Sequence, residues 1–553
     1  MSGTIAEQRM RSGAQILVDA LRIHGADRIF CVPGESYLAV LDALHDAPDI
    51  QVVVCRHEGA AANMAEADGK LTGRPGICFV TRGPGATHAS VGVHTAFQDS
   101  TPMILFVGQV KRGHRGREAF QEIDYAQMFG PLSKWVTEIE DPARVPELVG
   151  RAFRMATSGR AGPVVIALPE DMLTEQCAVA DTRPYQTVRA SPSAGDLADL
   201  RRLLAQAERP LAILGGSGWT EQACTDIAVF AEANALPVAA SFRAQHLIDN
   251  AHPCYIGHLG FGVSPKLAGR VKAADLLLVI GPRLGEATTG GYTLIQPPVP
   301  HAPLIHVHAG AEELGRVYQP VLGINAGMPE IAAALRGLPP VDGPRWRDWT
   351  SSARAEYEEF AGIPSAHGEP FGATRMMACI EQRLPPDAIV ANGAGNFAIW
   401  VHRYHRYRRF RSQLAPTSGA MGYGLPAAIA AKLRHPDRPV VCFAGDGDFM
   451  MYPQELITAR RYGLPIIVII LNNGMYGTIR MHQEIRYPGR SLGTDLLNPD
   501  FAAFARSFGI SGQSVGDEES FMAALDRALV SQVATIIEVP VDPAQITPDR
   551  CLD

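Results

Sequence analysis

The chain has 553 residues, of which 46% are hydrophobic and 19% charged, with a formal net charge of −7. That length predicts three or four domains, each able to bury its own core. The composition excludes a disordered chain, and the acidic balance excludes a nucleic-acid binder, which would need a basic stripe. One basic cluster, His402 to Arg411, alternates aromatics with charge and is expected at a surface loop or interface edge rather than on phosphate or RNA. Nine cysteines form no CxxC pair, which points to a reducing compartment. Of these, Cys55, Cys78 and Cys442 sit in apolar runs and are expected to be buried. The N-terminus has no apolar signal-peptide core, and the longest apolar run near the C-terminal motifs is about eight residues, short of the ~20 that span a bilayer. The expectation is a soluble cytoplasmic protein with no membrane or nucleic-acid partner.

Taken in order, the chain alternates helical and strand patterns. Ala14 to His24 repeats its apolar residues at helical spacing. A short strand, RIFC, then leads to a turn at Gly34, and Leu38 to His45 is helical again. QVVVC reads as a buried strand that delivers Arg56, His57 and Glu58 at its end. A small-residue helix, Ala60 to Thr72, precedes the strand GICFVT, and a glycine turn leads into the next helix. PMILFVGQV and GPVVIALPED complete the unit, and Thr174 to Pro192 reads as a linker. A second α/β unit follows, with PLAILGGSG, LPVAASF, ADLLLVIGPRLG and APLIHVHAG as its strand-and-turn pieces. Ala333 to Pro364, polar and Pro-rich, reads as a second linker. The third unit starts near Phe371 and contains AIVANGAGN, SGAMGYGLPAA, the stretch Val440 to Tyr476, and TIIEVPVD. Strands alternating with helices predict three α/β, doubly wound parallel-sheet domains, at 1–173, 193–340 and 365–545. No short tandem repeat is present, and the first and third units share an architecture rather than a readable repeat.

The stretch Val440 to Tyr476 carries the strongest chemical signal. One apolar run ends in Gly445-Asp446-Gly447 and a second ends in Asn472-Asn473. Ligands bind at the carboxyl ends of parallel strands, where Asp446 and Asn473 stand. An acidic oxygen and an amide oxygen suit Mg²⁺, which shares oxygen ligands with phosphates. The glycines let backbone approach a diphosphate. GDG alone is weak, but GDG with Asn473 placed 27 positions after Asp446 is specific.

That pairing resembles the thiamine diphosphate (ThDP) signature. The chain as a whole is similar to the ThDP-dependent decarboxylase and carboligase superfamily, and in particular to the large subunit of acetolactate synthase. The similarity runs through VPGESYLAVLDAL, RHEGAAANMAEADGKLTG, GPGATH, FVGQV, AFQEID, GPVVIALPED, SGAMGYGLPAA and the GDG–NN pair, which together span nearly the whole chain. The resemblance implies pyrimidine-binding, central and diphosphate-binding domains in that order. It assigns Mg²⁺ to Asp446, Asn473 and the Met475 carbonyl, with Gly34, Gly445, Gly447 and Tyr476 bordering the cofactor. Glu58 would be the activating carboxylate that shares a proton with the aminopyrimidine. Met421, between Gly419 and Gly422, would wedge beneath the cofactor, and the Gly419 carbonyl would accept from its amino group. Phe120 and Gln121 would line the pocket near the reactive carbon. The family's sites lie between subunits, so a homodimer or homotetramer is implied.

Some positions depart from the family. Arg82 and His88 stand where small or amide residues are usual; Arg82 would grip either a substrate carboxylate or a structural acid, and His88 and His94 are candidate proton carriers. Thr478 and His482 replace the usual Met and Trp of the second-substrate pocket, which makes Thr478, His482 and Gln483 candidate substrate contacts. In the central unit, Gly215 to Gly218 and Gly281 to Gly285 offer strand-end turns for FAD or ADP, and Arg283 matches, but His306 and His308 replace the usual acidic pair. The activity implied is decarboxylation of a 2-oxo acid with carboligation, as in pyruvate to 2-acetolactate. The alternatives are a related ThDP lyase (a 2-oxo-acid decarboxylase, a 2-hydroxyacyl-CoA lyase or a diketone hydrolase) and a non-catalytic scaffold of the same fold.

Overall fold

The computed structural model describes residues 9–364 and 370–552. The chain divides into two compact units, Met1–Val188 and Arg189–Asp553. The first unit holds β1 (Met10–Ser12), β2 (Arg28–Cys31), β3 (Gln51–Val54), β4 (Gly76–Val80), β5 (Met103–Gln109), β6 (Trp135–Glu138), β7 (Pro163–Pro169) and β8 (Gln176–Ala178). Six of these form one parallel sheet in the order β3-β2-β4-β5-β7-β6, while β1 and β8 pair antiparallel. Every residue of β4, β5 and β7 is buried, as expected for strands covered by helices on both faces. Cys55, Cys78 and Cys442 are buried as their apolar runs predict.

The second unit carries two parallel sheets. The first contains β9 (Pro210–Leu214), β10 (Val238–Ala240), β11 (Tyr255–His258), β12 (Leu276–Ile280), β13 (Leu304–His308) and β14 (Leu322–Asn325), ordered β11-β10-β9-β12-β13-β14. The other contains β15 (Ile389–Asn392), β16 (Gln413–Leu414), β17 (Val440–Gly445), β18 (Ile467–Asn472), β19 (Ser511–Ser514) and β20 (Thr535–Pro540), ordered β16-β15-β17-β18-β20-β19. Counted along the chain, this last sheet and that of the first unit have the same strand order, 2-1-3-4-6-5. The middle sheet is 3-2-1-4-5-6, the order of dinucleotide-binding folds. Strands β6, β11, β14, β16 and β19 lie at or next to sheet edges, and their mixed or short patterns escaped the sequence reading.

Two expectations are corrected. The supposed linker from Ala333 to Pro364 contains the end of the helix Met328–Arg336 and all of the helix Arg347–Ala361. Thr350, Ala353, Tyr357 and Ala361 recur at helical spacing on its buried face. Trp346, just before it, is 1% exposed and donates from Nε1 to the Asn234 carbonyl at 3.0 Å. Arg354 donates to the carbonyls of Asn250, His252 and Tyr255. The polar face dominated the composition and hid the stripe.

The basic cluster is not a surface loop. It begins inside the helix Phe397–Tyr404, and His402, Tyr404 and Tyr407 are buried. Its cations meet acids: Arg403 with Asp549 at 2.6 Å, Arg406 with Glu358 at 2.8 Å and Arg408 with Asp249 at 2.7 Å. His405 lies 2.6 Å from Glu381.

Candidate active site

In the sheet that contains β15 to β20, strand order reverses between β15 and β17, the switch point at which open α/β sheets bind ligands. The strand β17 ends at Gly445, and Asp446 opens a one-turn helix, Asp446–Phe449. Three donors converge on the buried Asp446 carboxylate. Gly447 N–H donates to Oδ1 at 3.0 Å, while Gly474 N–H and Asn498 Nδ2 donate to Oδ2 at 2.9 and 2.7 Å. Burial raises its pKa, and those donors pull it back. Asn472 holds the scaffold: its Oδ1 accepts from Asn498 Nδ2 at 3.0 Å and its Nδ2 donates to Glu538 at 2.7 Å. Asn473 Oδ1 accepts from Met475 N–H at 3.2 Å, and the Met475 carbonyl accepts from Gly477 N–H at 3.0 Å. Asp446, Asn473 and the Met475 carbonyl offer oxygen donors of the kind Mg²⁺ takes, on the loops after two neighbouring strands, and in donor type they fit that ion.

The glycines have separate reasons. A Cβ on Gly447 would lie 2.5 Å from the Tyr476 ring, and one on Gly445 3.1 Å from Phe397. Gly419 and Gly422 have φ of +69° and +79°, which side chains other than glycine's rarely adopt. A Cβ on Gly419 would meet nothing within 4 Å, so this turn faces open space beside the half-buried Met421. That open cradle and the donor set fit a diphosphate cofactor and its cation. Asp448 is buried too; burial pushes its carboxyl up to about 7, against the pull of the N–H groups of Ala394 and Gly422.

Of the substrate candidates here, Thr478 is already engaged. Its hydroxyl donates to Asn396 Oδ1 at 2.9 Å and accepts from Asn396 N–H at 3.1 Å. Gln483 is likewise tied to both backbone groups of Leu492, whereas His482 is exposed. Asn498 was missed by sequence reading; it lies outside every motif, and folding alone brings it to Asp446.

In the first unit, Glu58 is the first residue of the helix Glu58–Thr72, where the helix dipole favours a carboxylate. Its Oε2 lies 2.9 Å from His88 Nδ1. His57 caps the same helix by accepting from Gly59 N–H at 3.0 Å, and its ring lies 4.6 Å from that of His88. Burial, with His88 alongside, lowers the His57 pKa. Arg82 is buried, pairs with Glu170 at 3.4 Å and donates to the Phe120 carbonyl at 3.3 Å. It therefore meets a structural acid. The Phe120 side chain is 72% exposed, and Gln121 holds φ of +66° against Gly83. Gly34 is explained locally, since a Cβ would collide with Thr81. His94 is half-buried on the helix Pro84–Asp99.

The middle sheet has its own switch point, between β9 and β12. Two of its glycines are used in packing: a Cβ on Gly216 would lie 2.1 Å from the Gly281 carbonyl, and one on Gly281 2.2 Å from that of Gly215, whereas one on Gly218 or Gly285 would meet nothing within 4 Å. Trp219 covers the turn and donates to the Gly215 carbonyl at 2.8 Å. At the end of β13, His306 and His308 are buried; His306 Nε2 lies 3.0 Å from the Pro282 carbonyl, and burial lowers its pKa to about 4.

Oxygen donors beside glycine turns, at the switch point of a parallel sheet, suit a cofactor-dependent α/β enzyme. Three family models match the chain: thiamine pyrophosphate enzyme, N-terminal TPP binding domain at residues 11–128, central domain at 197–335 and C-terminal TPP binding domain at 393–539. The chain belongs to the thiamine pyrophosphate enzyme family. It is 35% identical over 545 residues to the acetolactate synthase large subunit of Parasynechococcus marenigrum (strain WH8102), covering 96% of this chain and 87% of that one. It is 31% identical to the acetolactate synthase isozyme 2 large subunit of Escherichia coli (strain K12), over 96% of each. The probable acetolactate synthase large subunit of Methanocaldococcus jannaschii is 30% identical, over 97% of this chain and 93% of that one.

Proposed function

We propose that the protein is an acetolactate-synthase-like enzyme that decarboxylates a 2-oxo acid and joins the remaining acyl unit to a second carbonyl compound, with pyruvate giving 2-acetolactate as the leading case. The observation that carries this is the Asp446, Asn473 and Met475 oxygen set at the ends of β17 and β18, inside a chain similar to acetolactate synthase large subunits along nearly its whole length. Residues 1–173 would bind the pyrimidine, 193–340 form the central domain and 365–545 bind the diphosphate.

When bound, ThDP supplies the nucleophilic carbon and the electron sink for loss of CO₂. The residues of the chain bind and orient. Asp446, Asn473 and the Met475 carbonyl would hold Mg²⁺, with Gly445, Gly447 and Tyr476 beside the diphosphate. Met421 would support the cofactor, and the Gly419 carbonyl would accept from its amino group. Glu58 would be the carboxylate that shares a proton with the pyrimidine, its Oε2 lying 2.9 Å from His88 Nδ1. Gly34, Phe120 and Gln121 would border the pyrimidine side. In this reading the active site is shared between two copies of the chain, in a homodimer or homotetramer. The unpaired cysteines favour a reducing, cytoplasmic setting. Among the described residues, no helix is long and apolar enough to cross a membrane.

FAD in the middle domain is a separate question: Gly218 and Gly285 face open space at the two strand-end turns, whereas His306 and His308 supply no acidic partner for a ribose. A related ThDP lyase is the second reading, favoured by the exposed His482 in a position where the synthases carry an aromatic side chain. The deciding experiment is pyruvate turnover with ThDP and Mg²⁺, the products analysed without acid treatment. Acetolactate is expected. Free acetaldehyde, or no consumption, would sink the synthase reading and favour another 2-oxo acid or acyl donor.

A further inference from the structure

Two ionisable residues to which the motifs assign no role grip the backbone around the Met421 turn. Arg243 follows β10 and reaches the loops after β15 and β16. Its Nη2 donates to the Gly393 carbonyl at 2.9 Å, and its Nη1 donates to the Pro416 carbonyl. From the end of β17, Asp448 Oδ1 accepts from Ala394 N–H at 3.0 Å and from Gly422 N–H at 2.8 Å. The Gly393 carbonyl and the Ala394 N–H belong to one peptide group. That peptide is held by a cation on its oxygen and by a carboxylate on its nitrogen.

The same two residues hold both ends of the turn that carries Gly419 and Met421. Arg243 takes its first carbonyl, at Pro416, and Asp448 takes its last N–H, at Gly422. Pro416 also accepts from Gly419 N–H at 3.1 Å, which closes the turn. Two left-handed glycines give this segment freedom that must be removed if Met421 is to stand in one place. Two further observations show that the bracket is built. Asp448 is 3% exposed, and Gly393 cannot carry a Cβ because Asp448 Oδ1 would lie 2.1 Å from it. Arg243 itself adopts φ of +61°, a value an arginine keeps only where its surroundings hold it there.

We propose that Arg243 and Asp448 are a pair of positioning residues that set the height of the Gly419–Met421 turn beneath the cofactor. The inference rests on the assignment of that turn to ThDP. Neither residue touches the reacting atoms; each acts through the backbone it fixes. A displacement of about 1 Å at such a support is enough to cost on the order of a hundredfold in rate.

The test uses the full-length protein and a readout that needs no substrate: deuterium exchange at C2 of ThDP in its Mg²⁺ complex, normalised to bound cofactor. Wild type is expected to accelerate exchange strongly over free ThDP, and Arg243→Met and Asp448→Ala each to slow it about 30- to 100-fold. The double variant is expected to be no worse than the slower single variant, because the two act on one element. Asp448→Asn, which keeps the accepting oxygen, is expected to remain within about fivefold of wild type. Amide exchange of apoprotein peptides containing Ala394 and Gly422 is expected to rise in Asp448→Ala. If Asp448→Ala does not fold, Arg243→Met and Asp448→Asn still decide the matter. Full exchange rates in Arg243→Met, multiplicative effects in the double variant, or a collapse in Asp448→Asn would each overturn the bracket. Wild type that fails to bind ThDP, or to accelerate exchange at all, would instead refute the underlying site reading.

Discussion

Replacing Asp446 by Asn separates what holds the site together from what loads it. The carboxylate accepts three hydrogen bonds, one on Oδ1 and two on Oδ2. An amide has one accepting oxygen. Its better orientation turns that oxygen to Gly474 N–H and Asn498, which leaves Gly447 N–H facing an NH₂ group. An orphaned buried donor costs about 1–3 kcal/mol, and the two remaining bonds fall from charged to neutral strength. Against this stands the relief of no longer burying a charge, the same desolvation that raises the Asp446 pKa. The net expectation is a loss of about 1–2 kcal/mol in apoprotein stability. Loading is a larger difference. At 100 times the dissociation constant, ThDP with Mg²⁺ stabilises wild type by about 2.7 kcal/mol, and the variant should gain essentially nothing. Denaturant unfolding with and without ThDP and Mg²⁺ measures both quantities. Full cofactor stabilisation of Asp446→Asn would refute the metal assignment, and unchanged apoprotein stability would refute the hydrogen-bond account.

Other outcomes follow from the same geometry. Glu58→Gln should retain ThDP, measured by calorimetry, while turnover falls by a factor of about 10²–10⁴; near-normal turnover would remove Glu58 from the proton path. Trp346→Ala should cost about 3–5 kcal/mol in equilibrium unfolding, because it empties a buried site and orphans the Asn234 carbonyl. A cost below 1 kcal/mol would mean that the segment is the linker its composition suggested. His24 is 4% exposed and accepts from Tyr185 N–H, and burial lowers its pKa from 6.5 to about 4. The unfolded chain therefore binds the extra proton first, so stability falls as pH drops from 6.5 to about 4 and then levels, a loss of about 3 kcal/mol. His24→Gln should flatten that part of the stability–pH curve, and a curve of unchanged slope would exclude His24 as its source. A flavin spectrum that survives gel filtration of the purified protein would assign FAD to the middle domain, and a colourless protein would leave that domain without one.

Sequence order was enough where the signal was local. The GDG and NN strand ends were legible because a strand and the turn after it share a few consecutive residues, and the doubly wound architecture followed from alternating periods. What escaped was non-local or masked. Asn498 reaches Asp446 from 52 residues away, and no pattern in its own neighbourhood announces it. Thr478 read as a substrate contact because alignment gives position but not partner, and its partner is Asn396. Arg82 was left open between two acids' worth of roles, and the fold supplies Glu170 from 88 residues on. The helix Arg347–Ala361 failed for a different reason: its apolar stripe is narrow, and averaging over the segment weights the solvated face more heavily.

The shared strand order of the first and last sheets has a consequence for how such a chain can change. One topology is present twice with no readable sequence repeat between the copies, so the connectivity does not depend on one set of side chains. The loops after equivalent strands are then independent sites for variation: those after β2 and β4 can be rewritten without altering those after β15 and β17. On the function proposed above each sheet contributes its own cofactor contacts, so a laboratory selection for a new acceptor substrate can vary the loops of one sheet while the other keeps its contacts.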